Sequence, residues 1–166
     1  MIALGRFDVL TAVMTMARFR ACRREGYLDR LKRMYGYLRK YKHDAICVRT
    51  EIPDMSQYPK VEYDWMYSVY GDVQEAVPHD APTPLGKEVI TVTYDDANLY
   101  HDMTTGRAVT GVLHLINGTP IDWYSKRQDT VELATYGSEF VAARIATVQI
   151  IDLRNTLRYL GVPIKG

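Results

Sequence analysis

Between residues 88 and 160 the spacing of apolar residues changes once, from a period of two to a period of 3.6. A chain with this pattern folds by laying a helix against a small sheet. From Glu88 onward Ile90, Val92 and Tyr94 alternate with Val89, Thr91 and Thr93, the two-residue period of a strand. Val109 to Ile116 is a second β-rich run, followed by Asn117-Gly118, a dipeptide favoured by two-residue hairpin turns. Ile121 to Ser125 gives a third strand. After Val131 the helical period holds to about Leu160, where Gly161 and Pro163 supply stop signals. The expectation is an α+β fold whose C-terminal part is a three-stranded antiparallel sheet plus one long helix.

Two basic amphipathic helices are predicted ahead of this unit, Ile2 to about Arg20 and Gly26 to Tyr41, the second with Leu28, Leu31, Tyr35 and Leu38 as its apolar stripe. Together they make a basic helical hairpin, and Ala45 to Thr50 reads as a short strand after it. Five of the seven prolines fall between Glu51 and Lys87, and Pro78 to Pro84 reads as an extended connector. The predicted organisation is a helical region over 1–52, an acidic proline-rich connector over 53–87, and the sheet-and-helix unit over 88–166. Charge follows the same divisions. Residues 1–50 carry 12 Lys and Arg against 4 Asp and Glu, whereas residues 51–100 carry 2 against 10. A basic head suggests contact with a polyanion through Arg20, Arg23, Arg24, Arg30, Arg33 and Lys40; the alternative is a solvated helix face followed by an acidic linker. Lys126 and Arg127, with Gln128, either contact phosphates or form a solvated hairpin edge.

No run of 18 apolar residues exists, so a membrane span is not expected, and the start has no signal-peptide layout. Cys22 and Cys47 cannot make a disulfide framework, which fits a reducing, intracellular compartment. The four histidines have no zinc spacing, and His114 reads as a half-exposed sheet residue. Two carboxylates stand out. Ala143, Ala146, Ile150, Leu153, Leu157 and Leu160 form one helical stripe that, one turn back, lands on Glu139. Asp96 falls by strand parity on the face of Ile90, Val92 and Tyr94. A helix packed on that face would bring Glu139 toward Asp96, an arrangement suited to Mg²⁺ because hard cations take oxygen ligands. Each residue also has a plainer reading, Glu139 as a complement to the helix dipole and Asp95-Asp96-Ala97-Asn98 as a strand exit. Tyr94-Asp95-Asp96 does not make a polymerase palm, whose Tyr would have to stand at position 93, where this chain has Thr93.

Four blocks come in order: Asp96-Ala97-Asn98, Val109-Thr110-Gly111, Pro120 through Gln128, and Thr135-Tyr136-Gly137-Ser138-Glu139-Phe140-Val141-Ala142. They resemble the ribonuclease H domain of copia-type retrotransposon Pol polyproteins. Gly5 through Val9, Ala12 through Phe19 and Arg33 through Lys40 resemble the helices that follow the polymerase palm in the same polyproteins. The resemblance implies a truncated ribonuclease H-like fold, with Asp96 and Glu139 as catalytic, metal-binding carboxylates. It also implies two Mg²⁺ ions about 4 Å apart cleaving the RNA strand of RNA–DNA hybrids. The implied partners are RNA–DNA hybrid or other nucleic acid and the remainder of the Pol polyprotein, with no membrane. The implied location is a cytoplasmic virus-like particle or the nucleus. Asn98 replaces the second Asp of the family's Asp-Ala-Asp segment. The family's fourth strand should begin near Pro163-Ile164, and its third and fourth carboxylates lie beyond Gly166, so the chain is expected to be inactive alone, with its first strand exposed as an edge, marginal stability and a tendency to associate. The alternatives are a non-catalytic nucleic-acid-binding remnant and a structural piece of a larger assembly.

Overall fold

The computed structural model describes residues 6–17, 24–57, 69, 71 and 75–165. A 3-10 turn, Phe7–Val9, leads into α1 (Leu10–Ala17), and α2 spans Tyr27–Lys40. The ends of the first predicted helix, with Arg20, and Arg23 of the segment after it lie outside the described residues. The N-terminal turn is tied to the end of α2 by Arg6, which donates to Asp8 at 2.7 Å and to the Tyr41 carbonyl at 2.9 Å. That guanidinium also holds the Asp8 carboxyl below its ordinary pKa. The inner stripe of α2 is Tyr27, Leu31, Met34 and Leu38, all half-buried, while Leu28 and Tyr35 of the predicted stripe are 63% and 67% exposed. Ala45 to Thr50 is not a strand. It hangs on one side chain, with the Arg49 N–H donating to Thr119 Oγ1 and that hydroxyl donating to the Cys47 carbonyl.

The sheet follows, with β1 (Val89–Asp102), β2 (Arg107–Ile116) and β3 (Thr119–Arg127), then α3 (Thr135–Tyr159) and a two-residue β4 (Ile164–Lys165). Its order is β3-β2-β1-β4, antiparallel except for the parallel β1–β4 pair. The expectation of three strands is therefore corrected to four, although β4 covers β1 only at Val89 and Ile90, so that beyond Ile90 this edge of β1 has no paired strand among the described residues. Gly161, in the left-handed region at φ +74°, ends α3 and returns the chain so that Ile164 and Lys165 pair with Val89 and Ile90. β1 also runs through Asp95-Asp96-Ala97-Asn98 rather than exiting there, in unbroken register with β2. The Asn117-Gly118 turn forms, with φ +51° and +74°. Asn117 does more than turn the chain, because its N–H and Oδ1 bond the carbonyl and N–H of Ile90 at 2.9 and 3.0 Å.

α3 packs on the face carrying Thr91, Thr93, Asp95 and Ala97 of β1 and Thr110, Val112, His114 and Ile116 of β2. The buried apolar side chains there are small: Ala97, Ala108, Val112, Ala142 and Ala146. Three polar ties complete the contact. Gln128 Nε2 donates to Thr110 Oγ1 and to the Ser138 carbonyl at 2.9 and 2.8 Å. His114, 1% exposed rather than half-exposed, bridges Thr93 Oγ1 at 2.9 Å and Gln149 Oε1 at 3.2 Å. Arg154 Nη1 donates to Thr91 Oγ1 at 2.9 Å. The side of α3 that meets the sheet includes Ser138, Ala142, Ala146 and Gln149; of the predicted stripe Ala146 is buried and Ile150, Leu153 and Leu157 are half-buried, whereas Ala143 and Leu160 are exposed.

The end of the acidic segment is anchored to α3. Glu75 accepts from Arg154 and Arg158 at 2.9 and 2.6 Å, Tyr159 donates to Asp80, and the Leu85 N–H donates to the Gly161 carbonyl. The hydrogen bonds and charge of Arg158 and Arg154 lower the Glu75 carboxyl to about 2, against partial burial that opposes the shift. Among the described residues no helix is long and apolar enough to cross a membrane.

Two predictions follow from these ties. Asn117→Ala combines the cost of a left-handed non-glycine residue with the loss of a hydrogen bond, together about 2–4 kcal/mol; Asn117→Gly loses only the bond, about 1–2 kcal/mol. Urea unfolding of both variants checks that order. Because Glu75 titrates lower when folded, its stabilisation is full above about pH 4.5 and is lost as pH falls through about 2. Glu75→Gln should flatten the loss of stability across that window relative to the native chain, measured as urea midpoints from pH 6 to pH 2.

Candidate nucleic-acid interface and carboxylates

The β1–β2 register runs without a shift from Thr91 to Asn98, so successive side chains alternate between faces. Thr93 reaches His114 and, through it, Gln149 of α3. Asp95 shares that face, and Asp96 points to the opposite one. Glu139 is half-buried on the flank of α3, next to buried Ser138. The sheet therefore lies between Asp96 and Glu139, and the structure does not bring them together. These residues do not fit one shared Mg²⁺ site, and among the described residues no group of three or more His, Cys, Asp or Glu is placed to hold a metal.

The face bearing Asp96 is covered in part by the N-terminal turn and α1. Phe7 packs on Trp123 with ring centroids 5.3 Å apart. Beside this contact is a cleft of about 300 Å³, bordered by Phe7, Leu10, Tyr94, Asp96, Trp123 and Ser125.

The cations divide into two groups. Arg127 is held by Asp102 at 2.8 Å, and Asp102, 6% exposed, also accepts from Thr105 Oγ1 and the Thr104 N–H in the β1–β2 turn. Arg127 thus closes the sheet's end rather than standing ready for phosphate, whereas Lys126 is exposed. Arg154 and Arg158 are committed to Glu75. On α2, by contrast, Arg30, Arg33 and Lys40 recur at steps of three and seven and share one exposed flank with Tyr37. Their contacts among the described residues are aromatic: Arg30 lies 6.0 Å from the Tyr27 ring centre and Lys40 5.2 Å from that of Tyr41. Arg24 is exposed just before the helix. Sequence reasoning missed the structural duty of Gln128 and Asp102. For Asp102 the signal was present, since Asp-x-Thr-Thr-Gly is turn chemistry.

Comparison with known proteins finds similarity over part of the chain. A stretch of 80 residues, 48% of the chain, is 34% identical to the retrovirus-related Pol polyprotein from transposon TNT 1-94 of Nicotiana tabacum and covers 6% of it. A stretch of 62 residues, 37% of the chain, is 36% identical to secreted RxLR effector protein 161 of Plasmopara viticola and covers 44% of it. No family model matches the chain, and no solved structure matches it. The chain is thus similar, over about half its length, to a small part of a retrotransposon Pol polyprotein.

Proposed function

We propose that this chain is a Pol-related nucleic-acid-binding protein, derived from the region spanning the end of a copia-type reverse transcriptase and the start of its ribonuclease H domain. The single observation that carries the binding reading is the row of α2 cations that have no carboxylate partner among the described residues. Arg30, Arg33 and Lys40 extend over about 15 Å of helix, whereas Arg127, Arg154 and Arg158 of the sheet-and-helix unit are occupied by Asp102 and Glu75. Such a row neutralises phosphates without reading sequence, and duplexes are then recognised by backbone and shape. RNA–DNA hybrid is the natural ligand to test, given the resemblance to a Pol polyprotein. The ribonuclease H-like ancestry is supported by a first strand paired with β2 along most of its length and with β4 at Val89 and Ile90, and by a long helix leading from β3 to β4. Cleavage is not part of the proposal, because Asp96 and Glu139 occupy opposite sides of the sheet.

Binding to an RNA–DNA hybrid should fall linearly on a log–log plot against salt, by about 0.9 per phosphate neutralised. Replacing Arg30, Arg33 and Lys40 together with Ala should reduce that slope by about 2–3 and weaken binding at low salt, while Glu139→Gln leaves both unchanged with or without Mg²⁺. Binding that requires Mg²⁺ and is lost in Glu139→Gln would overturn the proposal in favour of a carboxylate-metal site.

A further inference from the structure

The sheet face that carries Asp96 is built in cross-strand rows. Tyr94, Leu113 and Trp123 form one row, and Asp96, Gly111 and Ser125 form the next. The middle position of the second row has no side chain. A Cβ at Gly111 would meet no atom within 4 Å, so the gap is open space. On either side of it stand a carboxylate and a hydroxyl. Neighbouring strands lie about 4.8 Å apart, so the backbones of Asp96 and Ser125 are separated by about 10 Å across this floor. Tyr94 and Trp123 wall the gap on one side, and Phe7 and Leu10 of the N-terminal segment bound the same cleft. Its volume of about 300 Å³ suits one ring system rather than a dinucleotide or a duplex.

We infer that this cleft binds a single guanine base. A carboxylate offers two acceptor oxygens, and a ligand edge with two parallel N–H donors matches them in a charge-assisted pair. Among the bases guanine presents such an edge, its N1–H beside its 2-amino group. Asp96 accepts both. The far edge of guanine, N7 and O6, carries acceptors only, and the Ser125 hydroxyl is the donor standing across the Gly111 gap. Trp123 and Tyr94 supply the aromatic surfaces on which a base packs. The inference is independent of the cation row on α2. It assigns Asp96 a role in recognition that needs no metal and no help from α3.

The shared chemistry is the base, whether free or within a single strand, so the test uses guanosine, inosine and a short guanine-containing single-stranded oligonucleotide, each titrated into the full chain and followed by NMR. Guanosine should bind about tenfold more tightly than inosine, which lacks the 2-amino group. Asp96→Asn should abolish that difference. Gly111→Leu should fill the floor and abolish binding with an unchanged far-ultraviolet circular dichroism spectrum, since the added side chain enters open space. Binding of the oligonucleotide alone, lost in Gly111→Leu, supports the same site with the base in a strand. Equal binding of guanosine and inosine, binding that survives Gly111→Leu, or no binding of guanosine or oligonucleotide at millimolar concentration overturns the inference. Replacing Arg30, Arg33 and Lys40 leaves guanosine binding unaltered, which separates this test from that of the α2 interface.

Discussion

The orientation of α3 on the sheet depends on three polar ties laid through a thin layer of small side chains. Ala97, Ala108, Val112, Ala142 and Ala146 let helix and sheet come close but have little shape to fix rotation. Gln128 holds the start of α3 through the Ser138 carbonyl, His114 holds its middle through Gln149, and Arg154 holds its end against Thr91. Buried polar groups are costly when unmatched, so these pairings select one rotation of the helix over others with similar apolar burial. Gln128, 3% exposed, already has Oε1 without a partner among the described residues, which leaves that tie little tolerance for displacement.

That rotation decides what the carboxylates can do. With Ser138, Ala142 and Gln149 turned to the sheet, Glu139 moves to the flank of α3. With Thr93 bonded to His114 beneath the helix, strand alternation sends Asp96 to the other face, beside Phe7, Tyr94 and Trp123. The same ties therefore separate a pair of carboxylates and place one of them in a cleft of its own. Ion pairing sorts the cations in a parallel way: Asp102 and Glu75 occupy Arg127, Arg154 and Arg158, whereas Arg30, Arg33 and Lys40 of α2 have no carboxylate partner among the described residues.

Much of the fold was legible in the residues. The alternation from Glu88, the Asn117-Gly118 turn, the helical period after Val131 and the stop at Gly161 all have local causes, and each element formed where those causes placed it. The parity of Asp96 was also legible. Which face the helix covers was not. Ile90, Val92, Tyr94, Leu113 and Trp123 make the more hydrophobic face, so hydrophobicity alone puts α3 there, yet α3 lies on the face of Thr91, Thr93, Thr110 and His114. Alternation tells which residues travel together, and hydrogen bonds between residues far apart in the chain settle what covers them. β4 was not legible in periodicity, because two residues carry no period; the resemblance alone placed the start of a fourth strand near Pro163-Ile164, where Ile164 and Lys165 pair with Val89 and Ile90. Gln128 gave no sign in sequence that it would be buried rather than part of a solvated edge.

The separation of Asp96 from Glu139 is the claim on which the rest turns. It is tested most directly by titrating Mn²⁺ into the isotopically labelled full chain and following paramagnetic broadening of the amide signals at the two positions. The account predicts that stoichiometric Mn²⁺ does not broaden the Asp96 and Glu139 signals together. Joint broadening of both, saturating at one or two ions per chain, would mean that the carboxylates share a metal site and would contradict the account.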